Sequence, residues 1–228
     1  MSIYIFVLNL DSNKDRWIFM KNQLDKLDCK YERINACNGY QMEKNEDQDH
    51  YEKLLYNRNN AIGREFICYE SKDNWIYDGS LEKSWPGLHL KGHYGTKGLT
   101  LSNLDAFNKG QELNYDYYLI LEDDAEISIR EYEKIKELIA EQKFMDIFLL
   151  DERSNGLCGT AGMLYKRNVL KQLATDLEPT SEYSINFEKE NKYTNLFDWK
   201  ILTYIKWKKM KYLNYGLLKS GKFKSTIS

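Results

Sequence analysis

The chain has 228 residues, 42% hydrophobic and 30% charged, with a formal net charge of −2. That length suits one large domain or two small ones, and two prolines with no Gly/Ser-rich linker favour a single domain. The near-neutral charge gives no global pull toward nucleic acid, and no apolar run reaches the roughly 20 residues that a membrane-spanning helix needs.

Residues 3–8, Ile-Tyr-Ile-Phe-Val-Leu, form a continuous apolar run of the kind found in strands covered on both faces. No basic leader precedes it and Asp11 follows, so it reads as a first strand and not a signal peptide. Ser12 or Asn13 can cap a helix over 14–27, with Trp17, Met20, Leu24 and Leu27 on one face. Residues 31–36 read as a second strand closed by the turn signal Asn38-Gly39, so the chain opens β-α-β with a parallel crossover. Residues 41–94 are irregular and read as an insertion or lid over one end of the sheet. Within it, Trp75, Tyr77 and Trp85 either stack on a sugar face or cover the edge of the core. His89 and His93 are four apart, but Pro86, Gly87 and Gly92 argue against the regular helix a metal pair would need. Gly95-Thr96-Lys97-Gly98 reads as a loop presenting backbone N–H groups to an anion. A helix follows, marked by Leu99, Leu101, Leu104 and Phe107 and ending at Gly110. Neither a Walker nor a Rossmann glycine string occurs.

The chain then runs through an apolar, aromatic strand, 115–121, directly into Glu122, Asp123 and Asp124. Three adjacent acids repel one another unless a proton or a cation relieves them. A hard divalent ion takes one or two carboxylates plus substrate phosphates; the plainer reading is that the acids cap the next helix. At an extended strand end alternate side chains share a face, which pairs Glu122 with Asp124. A helix over 130–142 follows, with Tyr132, Ile135, Leu138 and Ile139 inward, then a strand over 144–150 ending at Asp151. A loop over 151–156, a strand over 160–165, a short helix over 166–174 and a last helix from Phe197 complete the alternation. The expected class is α/β, a mostly parallel sheet with helices on both faces.

Beyond Asp198 no acid occurs, yet eight lysines do, interleaved with Trp199, Trp207, Tyr212 and Leu213. Residues 203–228 therefore read as a basic C-terminal tail, either solvated or in peripheral contact with an anionic membrane surface. Cys29, Cys37, Cys68 and Cys158 have neither a C-x-x-C pair nor a zinc spacing. They read as small buried hydrophobes of a reducing compartment, hence a cytoplasmic location.

Six strings in order carry a family resemblance. Val7-Leu8-Asn9-Leu10-Asp11 with Asp15-Arg16 resembles an "INLD…R" opening, and 31–39 resembles "ERINAVDG". Residues 95–103 resemble "GEIGCALSH", 119–125 "LILEDDA" and 159–165 "GTAAYL", and Phe197-Asp198-Trp199 falls at a later "VD" position. Together they resemble glycosyltransferase family 25, which includes lipopolysaccharide glycosyltransferases and procollagen galactosyltransferases. The resemblance implies a GT-A fold over 1–202. It implies transfer with inversion from a nucleotide sugar, of the UDP class, to a glycan, glycolipid or protein hydroxyl, with Mn²⁺ or Mg²⁺ as cofactor. It places the metal at Glu122 and Asp124, with Asp123 beside them. The nucleotide falls to Asn9, Asp11, Arg16, Asn35 and Gly39, and the donor phosphates or sugar to Lys97, Ser102 and Asn103. Inversion needs a base to take the acceptor proton. Asp198 is the first candidate by family position, and Asp151, at another strand end, the second.

Two departures matter: Asn103 stands where the family has His, and Asn38 where it has Asp. An amide hydrogen-bonds but cannot change charge near neutral pH. The alternative is therefore a catalytically weak or inactive module that binds a sugar nucleotide. Residues 41–94 match no family string, so acceptor choice is placed there. A sugar nucleotidyltransferase would carry a glycine-rich loop after the first strand, and residues 11–15 contain no glycine; a phosphatase would need D-x-D there.

Overall fold

The computed structural model describes residues 1–38, 90–153, 159–178, 181–184 and 197–220, with backbone only for 90–97 and 199. The expected lid therefore lies outside the described residues up to position 89, as do Gly39, Cys68, Cys158 and 221–228. Six strands form one mixed sheet: β1 (Ile3–Asn9), β2 (Lys30–Asn35), β3 (Tyr117–Glu122), β4 (Ile147–Asp151), β5 (Gly162–Lys166) and β6 (Tyr212–Leu218). Their order is β2-β1-β3-β5-β4-β6. β1 runs parallel to both β2 and β3, β6 runs parallel to β4, and β5 is antiparallel to β3 and β4. The antiparallel β5 qualifies the expected mostly parallel sheet. The link from β4 to β5 is shorter than the dozen or more residues a parallel crossover needs, so the chain turns back.

Five helices cover the sheet among the described residues: α1 (Lys14–Leu24), α2 (Leu90–Glu112), α3 (Ile129–Glu141), α4 (Arg167–Asp176) and α5 (Phe197–Trp207). Strand alternation sorts the core into two layers. Phe6, Tyr118 and Ile120 pack with Phe107 of α2, Leu170 of α4 and Tyr204 of α5. Ile5, Val7, Leu119 and Leu121 pack on the other face with Met20 and Leu24 of α1 and Ile135 of α3. Each buried aliphatic or aromatic side chain contributes about 1.5–3 kcal/mol, which explains why continuous apolar runs were readable as central strands. Helices on both faces were expected and are found. A formed capping box at Ser128 and Glu131 fixes the start of α3.

Three expectations are corrected. The two-glycine stretch 95–98 is not a loop but the interior of α2, so its N–H groups are spent on helical bonds and not held open for an anion. Burial of the helix between the sheet and α4 outweighs the roughly 1 kcal/mol that each glycine costs. Gly110 at its far end is where α2 meets α4: an added Cβ would stand 2.6 Å from Leu170 Cδ1. The supposed tail is corrected too, since 203–207 complete α5 and 212–218 add β6 to the edge of the sheet. Lastly, the buried stripe of α1 is Arg16-Met20-Leu24, and Asn13 stands at its N-cap without a side-chain cap bond. No described helix is long and apolar enough to cross a membrane. Cys29 and Cys37 are free thiols.

Candidate functional site

Because β1, β2, β3, β4 and β6 all point one way, their carboxyl ends share one edge of the sheet with the amino end of β5. Asn9, Asn35, Glu122 and Asp151 each end a strand there, and Thr160 and Ala161 lead into β5. In α/β sheets ligands bind along such an edge.

The acids that end β3 separate by face. Asp123 turns to the α1 side and is buried, where Arg16 Nη1 donates to its Oδ1 at 2.7 Å and Asn9 Nδ2 to its Oδ2 at 2.8 Å. Asn9 is also buried, and its Oδ1 accepts from Arg33 Nε at 2.8 Å. Arg33 in turn pairs with the exposed Asp11. Asn9, Asp11, Arg16 and Asp123, read from sequence as nucleotide and metal residues, thus form one connected network that ties β1, α1 and β2 to the turn after β3.

Glu122 turns to the α5 side. Thr160 Oγ1 lies 3.3 Å from Glu122 Oε1 and donates to Asp198 Oδ1 at 2.7 Å. The Gly159 N–H donates to Asp198 Oδ2 at 3.1 Å. Asp198 sits half-buried in the first turn of α5, where the helix dipole favours an acid. Burial, followed by the charges of Asp198 and Asp124, pushes the Glu122 carboxyl up to about 8, partly offset by Arg153. Glu122, Asp124 and Asp198 therefore crowd negative charge into one place, and that charge is costly without a counter-ion.

Asp151 is fully buried beside this group. Its Oδ1 accepts from Arg153 N at 2.9 Å and Nε at 3.1 Å, and its Oδ2 from Arg153 Nη2 at 2.8 Å and Ala161 N at 3.0 Å. Burial alone would raise the Asp151 carboxyl, but the Arg153 and Ala161 hydrogen bonds hold it below its ordinary range. With no oxygen reaching solvent, Asp151 is placed to fix the β4–β5 link. Of the two base candidates, Asp198 is the one that meets Glu122.

Residues on α2 look elsewhere. Ser102 Oγ donates to the Gly98 carbonyl at 2.6 Å and accepts from Cys37 N at 3.0 Å, fastening α2 to the chain that leaves β2. Asn103 is buried, with Nδ2 donating to the Leu99 carbonyl at 2.9 Å. Asn35 is exposed at the end of β2, and the side chain of Lys97 is outside the described residues, as is Gly39. Sequence reasoning missed Thr160 and Arg153. The signals were available: Thr160 follows Gly159 at a strand entry, and Arg153 stands two residues after a strand-ending Asp, within reach of its carboxylate.

No protein-family model and no curated protein matches this chain. Among solved structures it is similar to a glycosyltransferase involved in the glycosylation of the major capsid of PBCV-1, at 11% identity and a TM-score of 0.40, over 99% of this chain and 95% of that one. It is also similar to mouse xyloside xylosyltransferase 1 in its apo form, at 10% identity and a TM-score of 0.40, over 93% of this chain and 72% of that one. Likeness at this level fixes neither family nor activity.

Proposed function

We propose that the chain is a glycosyltransferase that moves a sugar from a UDP-class nucleotide sugar to a glycan, glycolipid or protein hydroxyl, with inversion at the anomeric carbon. The observation that best supports the reading is the meeting of Glu122 and Asp198 at one hydroxyl, Thr160 Oγ1, on the edge where the parallel strands end. The proton-retaining Glu122 argues that the group suits a cation, since a divalent ion would relieve the charge shared with Asp124 and Asp198. Among the described residues no three His, Cys, Asp or Glu side chains stand close enough to enclose a metal. Mg²⁺ and Mn²⁺ can be held by one or two carboxylates, with phosphate and water in the remaining positions. Glu122 and Asp124 are the residues that would hold it, and when bound it would neutralise charge on the departing diphosphate.

In this reading the acceptor oxygen bonds to the anomeric carbon, the bond to the diphosphate breaks, and the hydroxyl proton passes to Asp198. Thr160 and the Gly159 N–H hold that carboxylate in place, leaving it lone pairs for the acceptor. Arg153, half exposed and close enough to Glu122 to influence its charge, would in this reading add positive charge near the diphosphate.

A panel of nucleotide sugars with Mn²⁺, read by free UDP, tests the proposal. Turnover with at least one donor is expected, falling by about 100-fold or more in Glu122→Ala and in Asp198→Asn. Absence of UDP release across the panel, with UDP still bound, would instead establish the binding module. Asn103 favours that second reading, because it cannot ionise and its amide is turned into its own helix.

A further inference from the structure

The opposite edge of the sheet carries a separate feature. Where β1 and β3 begin and β5 ends, a groove of about 950 Å³ has Tyr115 and Ala140 on its wall and Lys143, Lys166, Arg167 and Lys171 around it. Several other cations face carboxylates, as Lys109 faces Glu32, Lys21 faces Asp25 and Arg33 faces Asp11, whereas what sets this groove apart is four cations gathered around one concavity. Here Lys166 Nζ donates to the Lys143 carbonyl at 3.2 Å and Arg167 Nη1 to Asn114 Oδ1 at 2.6 Å. None of the four has a carboxylate partner among the described residues. The single acid on the lining, Asp116, is engaged by the N–H of Ser2 at 2.7 Å and its hydroxyl at 3.1 Å. α4 begins at this groove with no acid in its first turn and no side-chain cap, so its dipole adds to the positive potential.

We propose that this groove binds the phosphate group of a ligand with an apolar body. Several cations around one concavity match a doubly charged group with three acceptor oxygens better than a carboxylate, which a single Arg satisfies. The aromatic and aliphatic wall suits the remainder of the molecule. A soluble phosphomonoester and the phosphomonoester headgroup of phosphatidic acid share this chemistry. The proposal does not depend on glycosyl transfer at the other edge.

Calorimetry of the full chain with octyl phosphate, below its micelle concentration, tests it. Saturable binding is expected, weakened roughly tenfold or more in the Arg167→Ala/Lys171→Ala double variant, with octanol binding far more weakly. Lys171→Glu, at an exposed helix position, is a second variant, and circular dichroism verifies that both fold. Co-sedimentation with vesicles containing phosphatidic acid, lost in the same variants, assigns the lipid source; octyl phosphate binding without co-sedimentation assigns a soluble one. The proposal is overturned by absent saturable binding, by binding that survives both variants, or by equal binding of octanol.

Discussion

Asp123 and Glu122 are neighbours in sequence, yet strand alternation gives them opposite surroundings and opposite energetic consequences. Asp123 is the buried partner of a buried Arg16, so Asp123→Ala removes a buried charge-assisted pair and is expected to cost about 3–5 kcal/mol by urea unfolding. Glu122 is held among like charges, so Glu122→Gln is expected to be neutral or stabilising. A pH test separates the two further. The Glu122 carboxyl is raised from its ordinary 4.5 to about 8, so the folded state binds more protons than the unfolded state across that window. Its contribution to stability therefore falls as pH rises from about 4.5 to about 8, and Glu122→Gln should flatten the slope of urea midpoint against pH. An unchanged slope would place Glu122 outside the charge cluster. Strand alternation set Asp123 apart from Glu122 and Asp124 in the sequence, but the partners on each face were not visible there. They depend on Arg16 reaching Asp123 across 107 positions and on Thr160 reaching Asp198 across 38. No local pattern encodes such contacts.

Central strands and the helices over 130–142 and 166–174 were legible because their burial follows simple periodicity. Elements whose burial depends on distant partners were not. β6 was hidden by an exposed middle, Asn214 to Gly216, and by flanking lysines, which are what an edge strand needs to resist pairing with other chains. It is a strand because β4 offers it a parallel ladder, from Ile147 opposite Tyr212 to Asp151 opposite Leu218. Leu218 is only 1% exposed and would meet any Cβ added at Gly162. Leu218→Ala should therefore cost about 2–5 kcal/mol, as for other buried leucines. Tyr215→Ala, at 43% exposure on the same strand, should stay within about 0.5 kcal/mol. Equal and negligible effects in chemical denaturation would return 212–218 to the status of a tail. α2 was obscured in the same manner, because glycines that read locally as a loop are tolerated once sheet and α4 close on the helix.

At the scale of the molecule, the two edges of one sheet carry opposite charge. Carboxylates gather where β3 ends, and cations with no carboxylate partner among the described residues gather where it begins. From Tyr117 to Glu122 the strand spans five residue steps, roughly 17 Å at about 3.3 Å each, beyond the Debye length of about 8 Å at physiological salt. Two sites that far apart, with no shared partner, should act additively. A ligand that binds only the folded state stabilises it by about 2.7 kcal/mol at a hundred times its Kd, so each site can be read by its own shift in Tm. Mn²⁺ with UDP should raise Tm in the parent chain and in Arg167→Ala/Lys171→Ala alike, but not in Glu122→Gln. Octyl phosphate should raise Tm in the parent and in Glu122→Gln, and by about half as much or less in the double variant. If instead either ligand's shift vanished in both variants, the two edges would be coupled through the sheet. A single site with two charged mouths would then replace two independent ones.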